Sequence, residues 1–169
     1  MTDFNVVAEE ELRPVLDQLL GMQWPIPISE IPNVISSLGW TPQGRRAARS
    51  TLPVSLNIVS FLGLRGEIGS IQFRLSDTLP HESVASKQTV LSAFSGAKQM
   101  VSSCLGFEPT RPRPWGMFGF SWELPDGRQV NLLDGSDTIV LNIWSKRNAD
   151  VERDEIRLGI DPSSEAEMQ

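Results

Sequence analysis

The 169-residue chain predicts one α+β domain, with an antiparallel sheet of about five to six strands and helices packed on one face. Three observations carry this. Segments with helical apolar spacing and segments with strict alternation fall in separate blocks, giving the order α-α-β-β(-β)-α-β-β-β with no βαβ alternation. Asp126-Gly127 lies between two alternating runs, where it marks a hairpin turn. A composition of 40% hydrophobic and 21% charged residues suits a folded chain long enough to bury a core.

The elements follow in order. Leu12, Val15, Leu16, Leu19 and Leu20 recur at helical spacing, so a first helix runs from Glu9 or Glu10 to Leu20. Glu9, Glu10 and Glu11 suit its first turn, while Pro14 favours a later start. Ser29 is a candidate N-cap for a second helix ending before Gly39, with Trp40 beneath it. "TPQGRRAARSTLP" reads as a loop or ragged edge strand. Val54, Leu56 and Ile58 alternate with polar residues, as do Ile71, Phe73 and Leu75, giving a hairpin with a glycine-rich loop between them. The longest helix spans about residues 84–105, with Val90, Leu91, Phe94, Ala97, Val101, Cys104 and Leu105 on its apolar face. A three-stranded meander follows. Phe118, Phe120, Trp122 and Leu124 form its first inward face, then Val130 and Leu132, then Ile139, Leu141 and Ile143. The domain is expected to span residues 1–147, and 148–169 to be an acidic, partly disordered segment.

The net charge of −6 is unevenly placed: residues 1–30 and 148–169 are acidic and the middle is mildly basic. That pattern argues against nucleic-acid binding and fits a basic protein partner. No apolar run is long enough for a membrane span, and the N-terminus lacks the features of a secretory signal. With one cysteine, Cys104, a cytoplasmic location is expected.

Chemistry-bearing residues are sparse. The single histidine, His81, lies beside Glu82 in a linker, and Cys104 lies on an apolar helix face; neither reads as catalytic. Asp150, Glu152, Asp154 and Glu155 crowd together but lack the glycine of a calcium loop. Gly63, Gly66 and Gly69 do not match a dinucleotide fingerprint. The expectation is a protein that is not an enzyme, with no catalytic residue, metal or cofactor.

"RPRPWGMFGFSW", residues 111–122, contains a Phe-Gly-Phe run like that of an RNA-binding strand, but the surrounding frame is wrong for that module. It reads instead as a connector running into a strand. Arg111, Arg113 and Trp115 precede the strand and have the make-up of an interface anchor. With the acids Glu9, Glu10, Glu11, Asp150, Glu152, Asp154 and Glu155, they form the candidate partner-binding set.

The N-terminal helix, "MQWPIPISEIPNVISSLGW", the hairpins and "FSWELPDGRQVNLL" resemble small actinobacterial immunity factors that neutralise secreted NAD-degrading polymorphic toxins. The resemblance covers residues 8–145 and transfers no site residue. It implies a cytoplasmic, non-enzymatic inhibitor that blocks the active site of a cognate toxin. The alternative is an acidic secretion chaperone or adaptor that binds an unfolded effector segment.

Overall fold

The computed structural model describes residues 4–80 and 83–161, so His81 and Glu82 lie outside the described residues. The first helix, α1 (Glu9–Gly21), buries Leu12, Val15, Leu16 and Leu19. It begins at Glu9 despite Pro14, because the Glu11 carboxylate reaches back to accept the Ala8 amide at 2.9 Å. A 3₁₀ turn over Ile28–Glu30 leads into α2 (Ile31–Ser37). Ser29 falls inside that turn and does not cap the helix.

Two short strands follow, β1 (Thr41–Pro42) and β2 (Ala47–Arg49), in the segment read as a loop or ragged edge. The expected strand at Val54–Ile58 is displaced: β3 spans Ile58–Leu64. Polar side chains hold the preceding loop away from the ladder. Asn57 Nδ2 donates to the Ser50 carbonyl at 2.8 Å, and Asp77 Oδ1 accepts the Ser55 amide at 2.9 Å. Nor is the glycine-rich stretch a long loop. Arg65 and Gly66, at φ 52° and 82°, make a two-residue turn into β4 (Glu67–Arg74). Gly63 sits at a register shift within the hairpin.

Helix α3 (Val84–Leu105) is capped by Ser83, whose Oγ accepts the Ser86 amide at 3.1 Å, and ends on left-handed Gly106. Its buried face carries Val90, Phe94, Ala97 and Val101, but Leu91 points outward. Then come β5 (Arg111–Pro112), β6 (Gly119–Glu123), β7 (Gln129–Asp134) and β8 (Ile139–Trp144). Phe118 precedes β6 and is 53% exposed, so it is not the core residue expected. The segment read as an acidic tail contains most of a last helix, α4 (Lys146–Leu158), capped by Ser145 and Gly159. Residues 162–169 lie outside the described residues.

All eight strands form one antiparallel sheet in the order β1-β2-β3-β4-β8-β7-β6-β5, rather than five to six strands. The excess is in β1, β2 and β5, which are two or three residues long. This order is that of two like units. Helices α1 and α2 precede the meander β1–β4, and α3 precedes the meander β5–β8. The units meet at the β4–β8 seam, where Gln72 faces Asn142, and their helices α1 and α3 pack together. Helix α4 stands outside this repeated plan.

Register fixes the two faces of the sheet. Ile71, Phe73, Ile143, Leu141, Val130, Leu132 and Trp122 share one face and join the core with α1, α2 and α3. Ser121, Gln129, Asn131, Asn142 and Trp144 share the opposite face. Helix α4 covers part of that second face, so the helices are not confined to one side. Most second-face residues are polar and buried, where alternation alone predicts a wet surface.

Candidate partner-binding site

Arg111 pairs with Ser121 in the β5–β6 ladder, and the Arg113 amide donates to the Gly119 carbonyl at 2.9 Å. Alternation sends both arginines onto the second face. The Arg113 side chain is only 2% exposed. Its Nη1 donates to Ser121 Oγ at 2.9 Å, Asn131 Oδ1 at 3.0 Å and Gln129 Oε1 at 3.3 Å. Both Nη atoms also bond the Glu152 carboxylate, a bidentate pairing that a lysine could not reproduce.

Glu152 comes from α4, three residues after buried Ala149 and on the same helix face. Arg111 adds a second cation, Nη2 to Glu152 Oε1 at 2.7 Å. The next residue, Arg153, bonds Glu123, Asp150 and the Gly127 carbonyl. At the other end of the helix, the Asn148 side chain and the Ser145 amide both donate to the Gly69 carbonyl. Polar links therefore fasten α4 to both halves of the sheet. Burial would raise the Glu152 pKa, but the hydrogen bonds and charges of Arg113 and Arg111 outweigh it and hold the carboxyl below its usual range.

A depressed carboxylate stabilises the fold above its unfolded pKa, and that contribution disappears as pH falls through the folded value. The α4 attachment should thus be fully present above about pH 4.3 and weaken on further acidification. Limited proteolysis between pH 7 and pH 3 is expected to open α4 before the sheet. Simultaneous loss of both would contradict this role for Glu152.

Gly119 explains the Phe-Gly-Phe run. A Cβ there would overlap the Leu132 carbonyl oxygen and come within 3.0 Å of Arg113 Cγ. The glycine lets the arginine stem lie across β6. Gly119→Ala is expected to cost about 2–3 kcal/mol through this overpacking, read by urea unfolding. An unchanged midpoint would mean that the arginine does not need this close approach.

Beside the Arg113–Glu152 pair, a groove of about 320 Å³ is lined by Trp115, Met117, Leu133, Trp144, Val151 and Glu155, together with the pair itself and Asn148. The Arg113 guanidinium lies 5.0 Å from the centroid of the Trp144 ring. Trp115 adopts a left-handed backbone, φ 64°, which is unfavourable for a bulky residue. Its indole nitrogen is buried and has no acceptor among the described residues. Met117 and Val151 are exposed at the rim. A larger cleft of about 580 Å³ lies between Trp24, Arg65, Arg128 and Lys146. There Arg128–Asp126, Lys146–Asp150 and Arg147–Glu67 pairs satisfy most of the charge, whereas the groove holds the strained Trp115 with its unpaired indole nitrogen, so the groove is the better candidate for recognition.

The sequence-derived candidates separate into groups. Arg113 and Glu152 are buried and paired, so neither presents its charge at the surface. Arg111 is half-buried on Glu152. Trp115 and Glu155 line the groove. Asp150 pairs with Lys146 and Arg153, and Asp154 with Arg157. The Asp150 carboxyl is held below its usual range, chiefly by its hydrogen bond from Lys146. Helix α4 has four basic and four acidic residues, so it carries no net charge. At the other end of the chain, Glu9 pairs with Arg13, Glu11 caps α1 and Glu10 is exposed.

Sequence reasoning missed Trp144, Met117, Leu133 and Val151 as site residues. The available signal was alternation: Trp144 falls opposite Ile143, on the face of Asn142 and Asn131. Cys104 is half-buried, and burial pushes its thiol pKa up despite nearby Arg13. Among the described residues no cluster of His, Cys, Asp and Glu could hold a metal ion, and no helix is long and apolar enough to cross a membrane.

Fold and groove together define a small α+β protein of two units sharing one sheet, each a helical segment followed by a four-stranded meander, with an appended helix on the second face. The chain belongs to a family of unknown function, DUF6301, whose model matches residues 10–145. The match ends at Ser145, the cap of α4, so α4 lies beyond it. Searches of curated proteins and of solved structures returned no match.

Proposed function

We propose that this protein is a non-enzymatic immunity protein that binds a cognate secreted toxin and blocks its active site, the toxin being of the NAD-degrading class. The supporting observation is the Trp115 groove. A tryptophan held in a left-handed backbone, with an unsatisfied indole nitrogen and an exposed apolar rim, has the features of an interface anchor. A partner that inserts an apolar side chain and supplies an acceptor would relieve that cost. The protein acts in the cytoplasm of the producing cell, where it meets the toxin before export.

The test is to express the adjacent gene's product alone and with this chain. Toxicity and NAD loss that the chain abolishes, through a stoichiometric complex with the folded toxin, is the expected result. An adjacent product without toxicity, or toxicity that the chain does not relieve, would overturn the proposal. A dimer that binds the product only as an unfolded segment would instead identify a secretion chaperone.

A further inference from the structure

We propose that the Arg113 cradle is a carboxylate-binding site, occupied here by the chain's own Glu152, and that an Asp or Glu side chain of the partner replaces Glu152 when α4 lifts. The partner in question is the one proposed above, so the choice of ligand source rests on that reading. The site itself rests on four features of the fold.

The arginine and its counter-ion have different standing in the architecture. Arg113, Ser121, Gln129 and Asn131 belong to the second αββββ unit and to the family-matched segment, whereas Glu152 is on the appended helix beyond it. Without α4, three neutral oxygens would face the guanidinium at hydrogen-bond distance with no carboxylate among them. With the second face covered, where the Arg113 side chain is 2% exposed, a cation is costly without an anion, so the covered frame calls for a carboxylate.

The attachment of α4 is also of a kind that can be released. Its apolar residues Val151, Ile156 and Leu158 face outward, and the buried positions are Ala149 and Glu152. On the helix side, lifting therefore uncovers only Ala149 and Glu152, and the links it breaks are chiefly polar. Finally, Arg113 and Glu152 both line the groove, so an incoming carboxylate anchored beside Trp115 has a path to the cradle.

Two measurements on the full chain test this without the toxin. Glu152→Ala removes the atoms of one acetate. Its melting temperature should fall, and sodium acetate should raise it saturably while sodium chloride at equal ionic strength does not. Arg113→Met/Glu152→Ala should show no acetate-specific rise. In the unmodified chain, α4 amides should exchange with solvent at least about tenfold faster than those of β7 and β8. Acetate acting no better than chloride on the folded variant would overturn the proposal, and so would α4 amides as protected as the sheet. The exchange measurement decides the question if Glu152→Ala does not fold. A failed toxin assay would leave both measurements intact, and failure of these would leave the immunity proposal standing.

Discussion

Arg113→Met is expected to lower the stability of the fold by about 3–5 kcal/mol, the usual cost of removing one partner from a buried ion pair. The substitution keeps much of the stem that lies along Gly119, so the loss reports mainly on charge and hydrogen bonding. It leaves Glu152 with only the half-exposed Arg111, and deprives Ser121, Gln129 and Asn131 of a shared donor. Those three retain other bonds: Ser121 to Asn131, Asn131 to Asn142 and Gln129 to Glu123. Adding Glu152→Leu should therefore recover much of the loss, because neither charge is then stranded. Urea unfolding of the two single variants and the double variant gives the coupling directly. Strict additivity would mean that the pair does not hold α4 to the sheet.

If the partner is the toxin proposed above, Trp115→Ala is expected to weaken binding to it by about 30-fold or more, corresponding to roughly 2 kcal/mol or more at an interface anchor. Folding should survive this change. Neither Trp115 nor Trp144 belongs to the core cluster, and the left-handed backbone at 115 gives truncation no conformational penalty beyond that already present. Trp122→Ala makes the contrast, since Trp122 is fully buried and its indole donates to the Phe107 carbonyl at 3.1 Å. That change should cost about 3–5 kcal/mol of stability. Titration calorimetry with purified toxin separates the two effects. A Trp115→Ala variant that binds as tightly as the unmodified chain would remove the groove from the interface.

The hairpins were legible because period-2 alternation gives each strand a buried side, and Trp122, Val130, Leu132, Leu141 and Ile143 all lie on the expected face. Alternation does not say whether the other side meets water. Ser121, Gln129, Asn131 and Asn142 fall on that other side and are buried, three of them in the network around Arg113. Strands β1, β2 and β5 are too short for periodicity, and Pro42 and Pro112 obscure two of them.

Helix α4 was hidden by an inverted pattern. Its larger apolar residues Val151, Ile156 and Leu158 are exposed while Ala149 and Glu152 are buried, and its many charged residues make the segment read as a solvated tail. The site suffered from the same inversion. Of the three candidates Arg111, Arg113 and Trp115, the two arginines are paired with Glu152, and Trp115 lines the groove with an unpaired indole nitrogen. Arg113 organises the groove from below, and its partner Glu152 was chosen from an acidic run for its charge, which the fold consumes internally.

The second face of the sheet, around Trp115 and the end of α4, is the surface assigned to the proposed toxin partner. Hydrogen exchange of this chain, free and bound to the toxin, tests it most directly. The expected result is slowed exchange over residues 113–118, with altered exchange in α4 and little change in α1 and α3. Protection confined to α1 and α3, on the opposite face, would contradict the account.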